Sequence, residues 1–360
     1  MEPIEPTEPV DDASDFRLTV LNPGGRDQPQ YFDDGVTPDS PAHPPINFHA
    51  YAACTSGAFH RDVKMALAEK APVFLLLRGN FKESERTLSQ CKKAKRTVVV
   101  SLKETGLHQI AEQLRDPAQL SRFLRILTEA DGCIGTTPEA AEVFRRVRAK
   151  KDPASVVFIP TPYPLEDEAW NFSAPPDKQS GVFVGTREWD VPSRNHLAAL
   201  LVARQLCDAT GEPVTVFNFD GRKGAKLLDA LNFPAGKLRV HEKQLPYADY
   251  LREMAKHKVV LQMDRSRVPG QVAGDALLCR TICVGGDGTI ERIAFPNLCG
   301  ERRSFEQVGA IALELLKNTN ARATAVIESQ WRGLERISFR AGRTQLKNFF
   351  TQLANPSFVL

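Results

Sequence analysis

Residues 259–286 restrict the fold of this chain more than any other stretch of the sequence. Two short apolar runs, each of a length typical of a buried strand, flank a loop with Pro269 and Gly270 and a stretch with a helical pattern. This order predicts a strand, a turn, a helix and a second strand. A helix that begins directly after a glycine turn directs free backbone N–H groups and the positive end of its dipole outward, which suits a phosphate group.

Asp275 lies about one turn into the predicted helix, where its carboxylate is placed to accept hydrogen bonds from a ribose. Gly270 and Gln271 belong to the predicted phosphate-binding turn. The alternative is an ordinary βαβ unit in which Asp275 is a solvated surface residue. This stretch alone leaves both interpretations open.

Short apolar strands alternate with amphipathic helices along most of the chain. Before a polar stretch at 165–180, the predicted strands are at 46–53, 73–77, 96–102, 132–136 and 156–159. After it, the alternation restarts at 182–184 and continues into residues 259–286. Such alternation predicts parallel sheets with helices on both faces. The predicted fold class is therefore α/β, with two Rossmann-like domains facing each other across a cleft at the carboxyl ends of their strands.

The length of the chain also favours two domains, because 360 residues exceed the roughly 250 to 300 at which a single core stops growing. We expect a loosely ordered N-terminal arm at 1–45, since this part is rich in Pro, Asp and Gly and contains only one potential edge strand. The expected domains are residues 46–177 and 178–336. A C-terminal helix is expected in residues 337–360.

Charge and cysteine content limit the partners and the compartment. A formal net charge of +3 is too small to indicate a nucleic-acid partner. The seven cysteines are an odd number with no C-x-x-C pair, which favours reduced thiols in a cytoplasmic protein and predicts no metal site. No run approaches the ~18 apolar residues of a membrane-spanning helix, and the N-terminus lacks the basic and apolar regions of a signal peptide.

Four cationic residues follow predicted strands of the second domain: Arg187, Arg194, Arg222 and Lys223. At the carboxyl ends of a parallel sheet they would line the mouth of the cleft and neutralise a diphosphate. The alternative for each is a solvated loop charge. On the facing domain, a helix predicted at 59–70 carries His60, and His49 and Glu104 are further candidates, although a lone histidine is more often structural than catalytic.

Several short motifs occur in an order that one protein family shares. V-F-V-G-T-R at 182–187 precedes P-S-R-N at 192–195, and R-V-P-G at 267–270 leads into G-D-A-L-L-C at 274–279. Earlier in the chain, S-G at 56–57, V-V-V-S-L-K-E at 98–104 and I-P-T-P at 159–162 follow one another. From residue 46 onward the sequence resembles the GT-B glycosyltransferases, in particular the large retaining group of bacterial nucleotide-sugar-dependent enzymes similar to glycosyltransferase family 4.

The resemblance implies roles for individual residues. Asp275 stands where the family has a glutamate that holds the donor ribose, and Arg267 replaces a glutamate that contacts the donor sugar. Lys103 replaces a histidine and can hold a phosphate or a sugar hydroxyl, but it accepts no hydrogen bond. We assign catalytic roles to Arg187, Lys103 and His60. The predicted donor-binding residues are Gly185, Arg194, Asn195, Lys223, His241, Gly270, Gln271 and Asp275.

The function that the resemblance implies is transfer of a sugar from a nucleoside diphosphate sugar to a hydroxyl of a glycan or lipid-linked acceptor, with retention of configuration and without a metal or other cofactor. One alternative is a nucleotide-sugar epimerase, which would need a pair of carboxylates for acid and base catalysis. The other is a nucleotide- or glycan-binding protein with weakened activity, which Arg267 and Lys103 favour. A periplasmic-type binding protein is disfavoured by the free cysteines.

The last predicted helix has an apolar stripe formed by Phe339, Leu346, Phe349, Phe350 and Leu353. In GT-B proteins the final helix commonly crosses back to the N-terminal domain, which would bury this stripe. The alternative is peripheral contact with the inner face of an anionic membrane, with Arg340, Arg343 and Lys347 toward the head groups.

Overall fold

The computed structural model describes residues 16–149 and 152–354, which form two β-sheets covered by helices. The seven strands of the first sheet are β1 (Thr19–Leu21), β2 (Gln30–Tyr31), β3 (Ala58–His60), β4 (Val73–Leu77), β5 (Val98–Leu102), β6 (Gly132–Gly135) and β7 (Val156–Phe158). Their order is β2-β3-β1-β4-β5-β6-β7, and all pairings are parallel except that of β2 with β3. The helices of this half are α1 (His49–Ala53), α2 (Val63–Ala68), α3 (Lys82–Lys93), α4 (Leu107–Leu114), α5 (Pro117–Glu129) and α6 (Pro138–Arg148).

The second sheet has five parallel strands: β8 (Val182–Val184), β9 (Val214–Phe217), β10 (Leu238–His241), β11 (Val259–Gln262) and β12 (Ile282–Gly285). Their order, β10-β9-β8-β11-β12, is the Rossmann order, and it reverses between β8 and β11. The helices that follow in this half are α7 (His196–Thr210), α8 (Gly221–Ala230), α9 (Tyr247–Ala255), α10 (Gln271–Leu278), α11 (Thr289–Ala294), α12 (Phe305–Lys317), α13 (Thr319–Arg336) and α14 (Phe339–Ala354).

The order of elements predicted for residues 259–286 is confirmed, since β11, α10 and β12 follow one another there. Every residue of β11 and of β12 is buried. Helices cover both faces of the sheet, and this explains why both strands are mainly apolar along their length rather than alternating. Strand β11 is central, between β8 and β12, so its carboxyl end opens directly onto the cleft.

The prediction of a loosely ordered arm at 1–45 is wrong for residues 16–45. Strand β1 is an interior strand, paired with both β3 and β4, rather than an edge strand. Leu18, Val20 and Leu21 are fully buried and belong to the cores on the two faces of the sheet. Because the sequence on either side of β1 is rich in Pro and Gly and the strand has only three residues, the sequence pattern does not predict its interior position. Residues 1–15 of the predicted arm lie outside the described residues.

The strand predicted at 46–53 is wrong, because residues 49–53 form α1. The helix predicted at 59–70 is also wrong at its start, since β3 occupies residues 58–60 and α2 begins only at Val63. The Ser56-Gly57 turn therefore precedes a strand. A Cβ atom at Gly57 would lie 2.0 Å from the carbonyl oxygen of Leu18, so the glycine lets the turn pass against the segment before β1.

Helix α14 packs against the first sheet. Leu346, Phe349 and Phe350 are buried in one core cluster with Phe48 and Tyr51 of the first half. The Nε of Arg343 donates a hydrogen bond to the carbonyl oxygen of Cys54 at 2.6 Å. The apolar stripe of this helix is thus covered by protein, and residues 355–360 lie outside the described residues. No helix in the described part of the chain is long and apolar enough to cross a membrane.

Candidate functional site

A cavity of about 640 Å³ lies between the carboxyl ends of the two sheets. Its second-domain wall consists of the residues after β8 and β11, the start of α10 and part of the loop before α9: Gly185, Thr186, Arg187, Glu188, Arg194, Phe217, Phe219, 244–247, Tyr250, Gln262, Asp264, 268–272, Asp275 and Glu291. Its first-domain wall consists of His43, Pro44, 46–48, 103–105, Gln109, Thr136 and Thr161. The cavity therefore opens where the order of the second sheet reverses, which is where ligands bind to open α/β sheets.

The start of α10 is the part of the wall best suited to an anion. Gly270 caps the helix with φ of 93° and ψ of 48°, a left-handed conformation that favours glycine. The first backbone hydrogen bond of the helix runs from the N–H of Gly274 to the carbonyl oxygen of Gly270 at 3.1 Å. The N–H groups of Gln271, Val272 and Ala273 consequently have no acceptor within the helix. These groups and the helix dipole favour a negatively charged ligand.

Gly185 allows the loop after β8 to approach this helix. A Cβ atom at Gly185 would lie only 2.6 Å from the Cγ1 of Val272. The two cavity-lining segments, one after β8 and one at the start of α10, are therefore in direct contact. This contact explains why the sequence has a glycine directly after β8.

Arg187 follows Gly185 by two residues and presents an exposed side chain to the cavity. Its guanidinium lies over the ring of Phe219, 5.5 Å from the ring centroid. Within residues 16–149 and 152–354, no carboxylate forms a salt bridge with Arg187. The side chain is held on an aromatic face while its charge remains available to a ligand.

Arg194 also lines the cavity, but its charge is already offset. Its guanidinium forms salt bridges with Asp264 and, at 2.8 Å, with Glu188. Asp264 is itself buried, and its other oxygen accepts a hydrogen bond from the N–H of Ser266 at 2.7 Å. Arg194 therefore ties the loop before α7 to the loop after β11, and less of its charge is available to a diphosphate.

Asp275 lines the cavity from α10 and is 1% exposed. Its Oδ1 accepts a hydrogen bond from the hydroxyl of Tyr247 at 2.5 Å. Burial raises the pKa of Asp275 to about 7, although the hydrogen bond from Tyr247 and the charge of Arg187 oppose this effect. The carboxyl group thus changes its charge near neutral pH.

Lys103 contributes the cation of the first-domain wall. It follows β5, and its backbone N–H donates to the carbonyl oxygen of Leu77 at 2.8 Å. The ammonium group lies 5.6 Å from the ring centroid of Phe48. In the described ranges, no carboxylate forms a salt bridge with Lys103. Lys103 and Arg187 therefore present two cations without salt bridges to the cavity, one from each domain.

The segment 36–48 extends from the first domain along the edge of the cavity to the second. Its residues His43, Pro44 and 46–48 contribute to the first-domain wall. Three contacts connect it to the other half. The Nε1 of Trp170 donates to the carbonyl oxygen of Val36 at 2.9 Å, and Asp39 forms a salt bridge with Arg252 at 2.7 Å. The side-chain amide of Asn47 donates to the Oε1 of Gln271 at 3.3 Å. Sequence reasoning missed this part of the wall, because residues 36–45 have no strand or helix pattern and residues 46–48 were assigned to a strand that does not form.

His60 and His241 are not among the residues that line the cavity, so the structure does not bring them together with the other predicted site residues. His60 is fully buried on β3, with its ring 5.4 Å from that of Tyr31 and its Nε2 3.8 Å from Glu69. Burial lowers the pKa of His60. His241 stacks on Phe217, with ring centroids 4.9 Å apart. His60 lies on β3 rather than on the helix predicted at 59–70.

Asn195 and Lys223 also lie outside the cavity wall. The Asn195 backbone is left-handed, and its side-chain amide donates to the carbonyl oxygens of Ser193 and Met263 at 3.1 and 3.0 Å. It holds the start of α7 against the end of β11. Lys223, on α8, pairs with Asp190 at 2.7 Å on the surface. Asn195 therefore supports the site indirectly, and Lys223 is a solvated charge.

Arg267 points away from the cavity into a cluster of charges between the two domains. It forms salt bridges with Glu139 at 2.9 Å, Glu301 at 3.1 Å and Asp287 at 3.4 Å. Arg292 binds both oxygens of Glu139 at 2.8 and 2.9 Å. Glu139, at the start of α6, is the member from the first domain. We refer to these five residues as the interdomain ion cluster.

Comparisons with known proteins support the fold. No protein-family model matches the chain, and no curated protein matches it in sequence. The chain is similar in structure to sucrose-phosphate synthase from Thermosynechococcus elongatus, with a TM-score of 0.62, 13% identity and coverage of 95% of this chain and 100% of that one. It is also similar to an E. coli trehalose-6-phosphate structure bound with UDP-2-fluoro glucose, with a TM-score of 0.59, 12% identity and coverage of 79% and 73%. The chain has the GT-B fold.

A third GT-B structure, that of a mutant of S. aureus TarM in complex with fondaparinux, α-GlcNAc-glycerol and UDP, has a TM-score of 0.56 and 12% identity and covers 83% of this chain and 58% of that one. Identities this low establish a shared fold alone. The predicted α/β fold of two Rossmann-like domains facing across a cleft is confirmed. In the described part of this GT-B chain, no group of three or more His, Cys, Asp or Glu side chains is arranged to hold a metal ion.

Proposed function

We propose that the protein is a glycosyltransferase that moves a sugar from a nucleoside diphosphate sugar to an acceptor hydroxyl group. One observation carries this proposal: the free N–H groups at the start of α10 and the guanidinium of Arg187 line one cavity, opposite Lys103 of the other domain. A diphosphate between these groups would meet positive charge from both walls. The two GT-B structures that contain UDP or a UDP sugar support a donor of this class.

The donor nucleoside extends toward Asp275 in this proposal. Asp275 lies about one turn into α10, so a diphosphate on the helix N-terminus would place the neighbouring ribose near its carboxyl group. Tyr247 and Gln271 hold this carboxyl in place by hydrogen bonds. The ribose hydroxyl groups would then donate hydrogen bonds to the lone pairs of the Asp275 carboxylate that Tyr247 and Gln271 leave free.

The reaction breaks the bond between the anomeric carbon and the diphosphate and forms a bond from that carbon to the acceptor oxygen. Negative charge develops on the departing diphosphate. Arg187, Lys103 and the α10 amides would stabilise this charge, which is usually the largest contribution to catalysis of such a step. We propose retention of configuration and no cofactor beyond the donor. The acceptor, a glycan or lipid-linked hydroxyl, would bind at the first-domain wall beside Glu104.

A second candidate function is a nucleotide-binding protein with weakened turnover. The pairing of Arg194 with Asp264 and Glu188 favours it, because part of the positive charge of the cavity is then neutralised. Arg187 and Lys103 remain to stabilise a departing diphosphate. Such a protein would bind the nucleotide but would not stabilise the departing diphosphate enough for rapid transfer. The two candidates differ in turnover rather than in binding.

A thermal-shift panel of UDP, GDP, ADP and CDP sugars, followed by an assay of donor hydrolysis, tests both candidates. A ligand at 100 times its dissociation constant adds about 2.7 kcal/mol of stability, so the correct nucleotide will raise Tm clearly. A glycosyltransferase will also release sugar from that donor slowly in water. Binding without hydrolysis or transfer would favour the second candidate, and a panel in which no compound raises Tm would contradict both.

A further inference from the structure

Glu291 is a buried carboxyl group in the wall of the cavity to which the proposed reaction gives no role. It lies on α11, directly after the glycine-rich turn that follows β12, and is 1% exposed. Its Oε1 accepts a hydrogen bond from the side-chain amide of Gln262 at 2.8 Å. Its Oε2 is buried and has no hydrogen-bond partner among the described residues. Buried polar atoms rarely lack a partner, so this oxygen needs an explanation.

Two glycines make room for this carboxyl group. A Cβ atom at Gly270 would lie 2.1 Å from the Oε2 of Glu291, and one at Gly288 would lie 2.4 Å from it. The oxygen is therefore held between the turn that begins α10 and the turn that begins α11. Gly270 is also the cap of the proposed diphosphate-binding helix. The carboxyl group is thus fixed next to the place where a donor would bind.

Burial and neighbouring carboxylates keep Glu291 neutral. Together, burial and the nearby negative charges of Asp264 and Asp287 raise its pKa to about 8, although hydrogen bonds from its own backbone N–H and from Gln262 oppose this effect. Arg194, which lies in the same wall, is already paired with Asp264 and Glu188. At pH 7 the group is therefore a carboxylic acid, which has an O–H to donate and an oxygen to accept.

We propose that Glu291 hydrogen-bonds a hydroxyl group of the sugar that the donor carries, and that it selects the sugar rather than the nucleotide. This inference rests on the proposed function. A hydroxyl group both donates and accepts, which matches a fixed carboxylic acid. A diphosphate instead matches Arg187 and the α10 amides, because a neutral acid adds no positive charge. A site with a buried hydrogen-bonding group rejects an analogue that lacks the matching hydroxyl, since the protein group is then left unpaired.

The test compares a nucleoside diphosphate with its sugar derivative by calorimetry. UDP, GDP, ADP and their glucose, galactose, mannose and N-acetylglucosamine derivatives are first titrated into the wild-type protein to find the tightest pair. The variant Glu291→Gln is neutral and nearly the same size, so it should fold. Because the oxygen of the new amide must accept from Gln262, its NH2 group faces the sugar and can donate to a hydroxyl group but not accept from it. We therefore expect the variant to bind the nucleoside diphosphate within about twofold of wild type and to lose at least about tenfold in affinity for the sugar derivative.

Glu306→Gln, at an exposed position on α12 outside the cavity, is the matched control and should change neither affinity. Should Glu291→Gln fail to fold, Glu291→Asp keeps the acid, withdraws it by one methylene group and should show the same selective loss. Equal losses for both ligands would mean that Glu291 merely supports the α10 turn, and unchanged affinities would mean that it does not meet the sugar. Either result overturns the inference. A wild-type protein that binds no nucleotide or nucleotide sugar would overturn the proposed function as well, before any variant is made.

Discussion

The two walls of the cavity differ in how many of their polar and charged side chains are already paired with other protein groups. In the second-domain wall, Arg194 is paired with carboxylates, Asp275 accepts a hydrogen bond from Tyr247, and Glu291 accepts one from Gln262. In the first-domain wall, Lys103 lies against an aromatic ring and forms no salt bridge within the described ranges. A wall whose groups hold one another in place is preorganised for one ligand, whereas a wall of loops adapts to several. In the proposed function, this difference would correspond to a fixed donor site facing a more adaptable acceptor site.

Arg187 is the exception in the second-domain wall, because it is exposed and forms no salt bridge in the described part of the chain. We expect Arg187→Ala to lower kcat by about 10²- to 10³-fold, the usual cost of removing one group that stabilises developing charge. Arg187→Lys should recover only part of this loss, since an ammonium cannot bind two phosphate oxygens side by side. Steady-state kinetics with the identified donor measures the effect.

Arg222→Lys is the control for this prediction, because Arg222 is an exposed arginine of the same domain that does not line the cavity. It should leave kcat unchanged. If Arg187→Lys and Arg222→Lys both behave like the wild type, Arg187 is a surface charge, and the comparison of the two walls loses its catalytic meaning.

Asp275→Asn tests whether the preorganised wall holds the nucleoside. The change keeps the shape of the side chain and removes its charge. We expect nucleotide binding to weaken by about 1.5 to 3 kcal/mol, the value of a hydrogen bond to a charged group. Calorimetry with the nucleoside diphosphate at a pH of about 8, above the pKa of Asp275, measures this. An unchanged dissociation constant in a folded variant would remove Asp275 from the donor site.

The same variant gives a prediction for the pH dependence of stability. The pKa of Asp275 rises from its ordinary value of 3.8 to about 7 in the folded protein, so the folded state binds the proton more tightly than the unfolded state does. The contribution of Asp275 is therefore most favourable below pH 4 and is lost as the pH rises toward 7. Relative to Asp275→Asn, the wild-type Tm should fall across this window. A Tm difference that stays constant from pH 4 to pH 7 would show that Asp275 ionises normally.

The second-domain wall could be predicted from the sequence better than the first. Pro269, Gly270 and the two apolar runs predict β11, α10 and β12 through short-range signals, and Gly185 and Arg187 follow an obvious strand. These features depend on local chain geometry, which a sequence pattern records. The placement of Asp275 in the cavity follows from the same helix.

The rest of the site depends on contacts between distant residues. The interior position of β1 arises from pairing with β3 and β4, and no local pattern in a strand of three residues indicates it. Glu291 enters the wall because Gly270 and Gly288 come together across the end of the second sheet. His60 also depends on such contacts. The sequence predicts that it lies on a helix, whereas in the structure it lies on β3 and is buried.

The interdomain ion cluster provides the last and smallest test of the comparison, because it is one of the contacts that connect the two domains. Glu139 binds Arg292 through two hydrogen bonds and Arg267 through one. Burial raises the pKa of Glu139, but the hydrogen bonds from Arg292 and Arg267 outweigh it, so the pKa is lowered and the carboxylate is charged at neutral pH. Glu139→Gln leaves both guanidinium groups without this partner and should let the domains separate more easily.

In the proposed function Lys103 meets the donor across the cavity, which requires the domains to be close. We therefore expect Glu139→Gln to weaken binding of the donor sugar nucleotide by about two- to fivefold, consistent with roughly 0.5 to 1 kcal/mol for a partly exposed ion pair. High salt should lower the affinity of the wild type toward that of the variant. Glu142→Gln is the matched control, because Glu142 lies on the same helix and pairs with Arg146 of that helix rather than with the second domain. It should leave affinity and salt dependence unchanged. If Glu139→Gln and Glu142→Gln bind the donor equally well, the first-domain wall contributes nothing to donor affinity, and the two walls act independently.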